Sequence, residues 1–268
     1  MKNTKNAKQL DENGFDIIPN LLNKEEIKEI RELFFELNLG FNADFYTTHW
    51  LKKNEKQSVH NSLEDKLKKK INKSFPNFES ILFYYLVKNN KSNTRVTPHQ
   101  DWTIIDNETN EEAFTLWIPL EDTNKINGGL RVVPKSHNIL TEVRGSDIQA
   151  PYNDIAEYVD TKYGQDIDTK NGDAIIFNHK LLHSSHPNLS NSLRLAIGVV
   201  LIPKNSQCVH YYYEKNQIHK FRVKSDFLLN FSFGDKPLSS FQPISVTNYD
   251  PIQFSKEYYD KKDNLLNQ

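Results

Sequence analysis

A single cysteine, Cys208, in 268 residues excludes a disulfide framework and any zinc cluster built on thiolates, and it fits a reducing, cytoplasmic setting. Net charge is almost absent too. The chain carries 34 basic and 35 acidic residues, a balance of −1, so no overall field draws it to nucleic acid or to an anionic membrane. No apolar run approaches the length needed to span a bilayer, and the polar, mixed-charge stretch from Met1 to Gly14 is unlike a secretory leader. Internal repeats and low-complexity tracts are missing as well. What remains is 37% hydrophobic and 26% charged, which supports a sizeable core and argues against global disorder. The length suits one large β domain, and residues 1–268 are read as one. Aromatic residues are plentiful but scattered, as expected for core and pocket walls.

Two helices are written near the start. Asn23 caps the first, Glu26 completes a capping box, and Leu22 with Ile27 forms a hydrophobic staple. Ile27, Ile30, Phe34 and Leu37 then recur at helical spacing, so one face docks on a core. The second helix is expected to start at Ser62, with Asp65 in the box position and Leu63, Leu67 and Ile71 on its apolar face. Its lysines at 66, 68, 69, 70 and 73 lie beside Glu64 and Asp65, which makes them a solvated outer face.

From residue 80 the pattern turns to short β-branched and aromatic runs: 81–87, 114–120, 130–133, 174–177, 195–202 and 209–213. Asn- and Gly-rich turns separate them. The expected layout is a helical part over about 1–75, a double-sheet β roll over about 80–215 and a C-terminal extension over 216–268. Residues 141–170 read as an insertion with a short helix near Asn153 to Val159, the kind of long loop that serves as a lid or binding loop.

Chemistry concentrates in two places. The first is Thr97-Pro98-His99-Gln100-Asp101-Trp102. On a strand, His99 and Asp101 share a face, with Gln100 turned away. The second is Leu181-Leu182-His183-Ser184-Ser185-His186-Pro187-Asn188, followed by Arg194. Two histidines and one carboxylate leave open positions on an octahedral ion, the donor set of non-haem Fe(II) oxygenases, and they also suit Zn or Mn. His179, His183 and His186 compete for the third ligand position. His183 is preferred because it follows two apolar residues and precedes the turn. Arg194 opens a long apolar run in which it shares a face with Ala196 and Gly198, opposite Leu195, Ile197, Val199 and Leu201. Small residues beside Arg194 imply room for something other than protein, and a guanidinium there can grip a carboxylate through two parallel hydrogen bonds.

These blocks, with Thr115-Leu116-Trp117-Ile118-Pro119-Leu120, the stretch from Asn127 to His137, and Asn171-Gly172-Asp173-Ala174, resemble in order the phytanoyl-CoA dioxygenase-like family. The opening Asn13-Gly14-Phe15-Asp16-Ile17-Ile18-Pro19 looks like that family's start. Lys135 is a departure, since the family usually has Gly in that turn. The resemblance implies a mainly β fold with flanking helices and a double-stranded β-helix, or jelly-roll, cupin-like core. It implies Fe(II) on His99, Asp101 and His183, and Arg194 on the distal carboxylate of 2-oxoglutarate, with Ser185 and Trp117 lining that pocket and O2 as the oxidant. It also implies a small-molecule substrate, hydroxylated with release of succinate and CO2, and an architectural role for His137. Two rivals use the same donors: a cupin-like Zn or Mn isomerase, and a binding β roll whose metal is closed off by His179 or His186. Arg95, Arg131 and Arg144 are read as structural or solvated. The substrate walls are expected in residues 40–60, 141–170 and 204–268.

Overall fold

The computed structural model describes residues 5–40, 43–108, 110–231, 242–250 and 253–267. Along the chain run α1 (Lys5–Asn13), β1 (Phe15–Ile18), α2 (Lys24–Glu36), β2 (Phe45–Thr47), α3 (Lys53–Ser74), β3 (Phe78–Lys88), β4 (Val96–His99), β5 (Phe114–Pro119) and β6 (Leu130–Val132). They are followed by α4 (Ala156–Tyr163), β7 (Gln165–Asp166), β8 (Ala174–Asn178), β9 (His183–Ser185), β10 (Arg194–Pro203), β11 (Val209–Glu214), β12 (Gln217–Arg222), α5 (Phe227–Asn230), β13 (Ser245–Asn248) and α6 (Lys256–Leu266).

Alternation within the strands decides the layers. In β10, Leu195, Ile197, Val199 and Leu201 join one buried cluster with Ile27, Ile30 and Phe34 of α2 and Val59, Leu63, Leu67 and Ile71 of α3. Ala196 points the other way, into a cluster that unites Trp117, Ile175 and Phe177 with Leu130 and Val132. The first cluster glues the two helices onto the back of an antiparallel six-stranded sheet, ordered β1-β8-β5-β10-β3-β2. The second lies between that sheet and an antiparallel four-stranded one, ordered β4-β9-β6-β7. Two facing antiparallel sheets of this kind form the expected jelly-roll core. A third sheet, β11-β12-β13, extends from it.

The first helix forms as expected: Asn23 accepts from the Glu26 N–H and Glu26 accepts from the Asn23 N–H, both at 2.8–2.9 Å. The second starts nine residues earlier than Ser62 and has no side-chain cap at Lys52. Its first buried positions are Lys56, Val59 and His60, so polar residues occupy the helical stripe there and hide the apolar period. Each has a specific partner. Lys56 Nζ donates to the carbonyls of Leu228 and Phe231, at 3.3 and 2.6 Å. His60 Nδ1 accepts from the Phe83 N–H of β3 at 3.1 Å. The lysine face is solvated and bridges to α2, through Lys66–Glu29 at 2.7 Å and Lys70–Glu26. The insertion contains a 3-10 turn, Asn153–Ile155, running into α4. Its Tyr152, Ile155 and Val159 pack with Leu182 and with Tyr259 of α6.

Candidate metal centre

Pro98 offers no N–H to a ladder, and β4 tolerates it as an edge strand whose pairing with β9 is irregular between Val96 and His99. The register places His99 directly across from His183, with ring centroids 4.2 Å apart. Asp101 departs from the sequence expectation, because the strand ends at His99 and Asp101 lies in the segment beyond it. Its main chain is pinned there by Arg144, whose Nε donates to the Asp101 carbonyl at 2.7 Å. Gln100 turns away as expected, donating to the carbonyls of Leu140 and Lys180.

One donor atom from each of His99, Asp101 and His183 lies within 4.8 Å of the others, close enough for all three to hold a single ion. The imidazoles are set for that role. Nδ1 of His99 lies 2.8 Å from the Thr97 carbonyl and Nδ1 of His183 lies 3.0 Å from the Leu181 carbonyl. A carbonyl only accepts, so each Nδ1 carries the proton and each Nε2 keeps its lone pair for a metal. Burial, followed by His99, pushes His183 down to about 4, so it is neutral at physiological pH. Burial raises the Asp101 carboxyl, but His179, His183, His99 and the Thr115 hydroxyl outweigh it and bring it to about 2. Thr115 Oγ1 donates to Asp101 Oδ2 at 2.5 Å and lies 3.2 Å from His179 Nε2.

Arg194 lines a cavity of about 260 Å³ together with the three donors, Trp117 and Ser185. It is 2% exposed, its Nη1 donates to the Leu86 carbonyl at 3.2 Å, and its buried Nε has no hydrogen-bond partner among the described residues. The guanidinium lies over Trp117, 5.7 Å from the ring centroid. Burial lowers its pKa to about 10 against the pull of Glu121, so it remains a cation. Lys88 sits across from it on β3, fully buried, and burial, followed by Arg194 and Arg95, brings it down to about 6. Its Nζ donates to the carbonyls of Ser185 and His186, tying down the end of β9.

Other expectations need correction. The space beside Gly198 is filled, because the Tyr84 ring of the neighbouring strand lies over it and a Cβ there would meet Tyr84 Cζ at 2.2 Å. Residues 141–170 contribute no described side chain to this cavity or to the adjoining one, whereas 40–60 supplies Phe45, His49 and Trp50. The 204–268 region supplies Leu228 and Phe231 to the adjoining cavity, and its residues 232–241 lie outside the described residues. His179 is buried against the Trp102 carbonyl and Thr115, and His186 pairs with Asp166 at 2.7 Å, so neither closes a fourth position. Arg95, Arg131 and Arg144 are paired with acids, as expected. His137 is buried with Nε2 on the Asp11 carbonyl. Thr115 and Tyr84 went unassigned. Thr115 was discoverable, since it shares a face of β5 with Trp117, whereas Tyr84 carries no such signal.

The match to known proteins follows this geometry. The model of the phytanoyl-CoA dioxygenase family, PhyH, matches residues 10–196. Phytanoyl-CoA dioxygenase 1 of Oryza sativa subsp. japonica is 31% identical over 121 residues, and its Arabidopsis thaliana counterpart is 30% identical over 122. Each alignment covers 44% of this chain and 42% of the relative, so the match spans less than half of those proteins. Among solved structures, EvdO2 from Micromonospora carbonacea var. aurantiaca complexed with 2-oxoglutarate superposes with TM-score 0.56 at 16% identity, covering 76% of this chain and 91% of that one. HygX from Streptomyces hygroscopicus with nickel and 2-oxoglutarate bound gives 0.54 at 15%, covering 76% and 88%. The α-ketoglutarate-dependent carbocyclase SnoK from nogalamycin biosynthesis gives 0.54 at 18%, covering 91% and 97%. At these identities the structural likeness speaks for the fold. The family match runs from the last turn of α1 into the arginine-bearing strand β10, and by it the chain belongs to the phytanoyl-CoA dioxygenase family.

Proposed function

We propose that this protein is an Fe(II)/2-oxoglutarate-dependent dioxygenase that hydroxylates a C–H bond of a small-molecule metabolite or natural-product intermediate. The observation that carries the reading is the pairing of a three-donor site with a buried, incompletely satisfied guanidinium in one cavity. His99, Asp101 and His183 would hold ferrous iron and leave its other positions open. Iron, 2-oxoglutarate and dioxygen together supply an oxidative decarboxylation coupled to C–H oxidation, with succinate and CO2 as products.

The chain's own contribution is placement. Arg194 anchors the distal carboxylate of the keto acid, with Trp117 holding the guanidinium plane and Ser185 lining the same cavity. Among the described residues lining that cavity, Arg194 is the one arginine or lysine, which makes it the anion-binding charge. Thr115 and His179 orient the Asp101 carboxylate from behind. Retention of that carboxylate favours hydroxylation over halogenation. A cytoplasmic setting accords with the single free, buried Cys208, and among the described residues no helix is long and apolar enough to cross a membrane.

The test is succinate release by the Fe(II)-loaded protein under air across a metabolite panel. Turnover should require 2-oxoglutarate and vanish in Asp101→Ala. Wild-type rates in that variant, or tight metal binding with no response to the keto acid, would sink the reading.

A further inference from the structure

A second cavity of about 180 Å³ adjoins the one that holds Arg194 and shares His49, Trp50, Tyr84, His99, Asp101 and Thr115 with it. Its remaining walls are the apolar Leu82, Ile104, Val200 and Leu228, the rings of Trp102 and Phe231, and the polar Gln100 and His179. Among the described residues lining it, Asp101 is the sole formally charged side chain, and that carboxylate belongs to the metal set. Buried cations around it are already engaged: Lys56 with the carbonyls of Leu228 and Phe231, and Arg144 with the Asp101 carbonyl and the Glu108 carboxylate. Nothing described in this chamber offers a counter-charge to an anionic substrate.

Of its polar groups outside the metal set, Thr115 and His179 are engaged with Asp101, the Trp102 carbonyl and each other, and Gln100 donates to the Leu140 and Lys180 carbonyls; Tyr84 and His49 complete the set. Tyr84 Oη has no hydrogen-bond partner among the described residues, although the ring is locked over Gly198 and against His49, 5.9 Å between centroids. Burial, helped by Asp101, raises the Tyr84 phenol strongly, so it stays protonated and can donate. Burial, followed by Lys56, pushes His49 down to about 4 against a backbone hydrogen bond with Leu228, so its neutral imidazole has one nitrogen engaged and the other left for a ligand. At the mouth, Trp50 is 57% exposed and set edge-on to Phe45 at 5.7 Å. A large indole left in water beside a reacting centre is a surface that a flat ligand covers favourably.

We propose, resting on the oxygenase reading above, that the chamber admits a neutral, ring-sized apolar group carrying one hydroxyl or carbonyl, which hydrogen-bonds to Tyr84 and His49 and packs on Trp50. The size follows from volume: an apolar cavity of roughly 150 Å³ takes a benzene molecule, so this chamber accommodates a substituted ring or two small fused rings. Aromatic walls favour a rigid ring over a flexible acyl chain, which must lose rotamer freedom to enter.

The test is isothermal titration of the Ni(II)- and 2-oxoglutarate-loaded protein with four probes: 2-indanol, indane, indane-2-carboxylate and 1-nonanol. 2-Indanol should bind at least about ten-fold tighter than the carboxylate or the linear alcohol. Tyr84→Phe should weaken 2-indanol about five-fold and leave indane unchanged, as expected for one lost hydrogen bond. Trp50→Ala should weaken both ring probes. Equal or tighter binding of the carboxylate or of 1-nonanol overturns the inference, as does an unchanged 2-indanol affinity in Tyr84→Phe. Binding of 2-oxoglutarate without any preference for 2-indanol overturns it alone. The ring preference without 2-oxoglutarate binding upholds the ligand class and sinks the oxygenase reading.

Discussion

Arg194 is buried with an unpartnered Nε, a state that costs stability unless a ligand uses it. Replacing it with Met should therefore weaken 2-oxoglutarate binding by about 100-fold, the loss of two charge-assisted hydrogen bonds, while Ni(II) affinity stays near wild type. Calorimetric titration of each ligand separates the two effects, and a parallel loss of metal would argue for a structural arginine. His179 acts on the other side of the centre. It touches Thr115, which holds Asp101 Oδ2, so His179→Ala should lower Ni(II) affinity about ten-fold without removing any donor atom. Unchanged metal titration in that variant would leave His179 a packing residue.

Helices and turns carry their own consequences. The Asn23 capping box predicts that Asn23→Ala destabilises the fold by about 1 kcal/mol, read from the denaturant midpoint. Lys135 occupies the turn after β6 in the left-handed region, φ 66°, where a side chain is strained by about 1 kcal/mol or more. Its Nζ donates to the Leu266 carbonyl and to Asn267 at the end of α6, and exposed contacts of that kind offset only part of the strain. Lys135→Gly should accordingly stabilise the protein by about 0.5 kcal/mol, and a lowered melting temperature would show that the tie to α6 outweighs the backbone. The departure from the family's turn residue was visible in the sequence, but its partner more than a hundred positions away was not.

Across the whole molecule, buried imidazoles set the response to acid. His49, His183 and His210 each fall to about 4 from an ordinary 6.5, with burial the largest cause in every case. Between those values the unfolded chain takes up protons that the fold refuses. The histidine contribution to stability is therefore complete above about pH 6.5 and declines as pH falls towards 4. His210 is the cleanest probe, because it lies among Trp102, Phe227 and Phe231 and away from the metal donors. His210→Phe should flatten the decline in chemical-denaturation midpoint between neutral pH and about pH 4.5, at a cost of about 1 kcal/mol at neutral pH for the lost Ser146 contact. An unaltered slope would place the acid sensitivity elsewhere.

Local chemistry made much of this protein legible in advance. Capping at Asn23 and alternation along β10 rest on near neighbours, so a linear reading reaches them. The same reading missed the start of α3, because Lys56 and His60 become core residues only when α5 and β3 arrive to satisfy them. It left the face beside Gly198 open, although Tyr84 of the adjacent strand fills it. The spacing singles out His99 and Asp101, but Asp101 lies beyond the strand and Gln100 is turned by Leu140 and Lys180, so their placement comes from distant segments. What encloses them, and what the enclosure admits, depends on cross-strand and cross-sheet contacts that exist only once the chain has closed on itself.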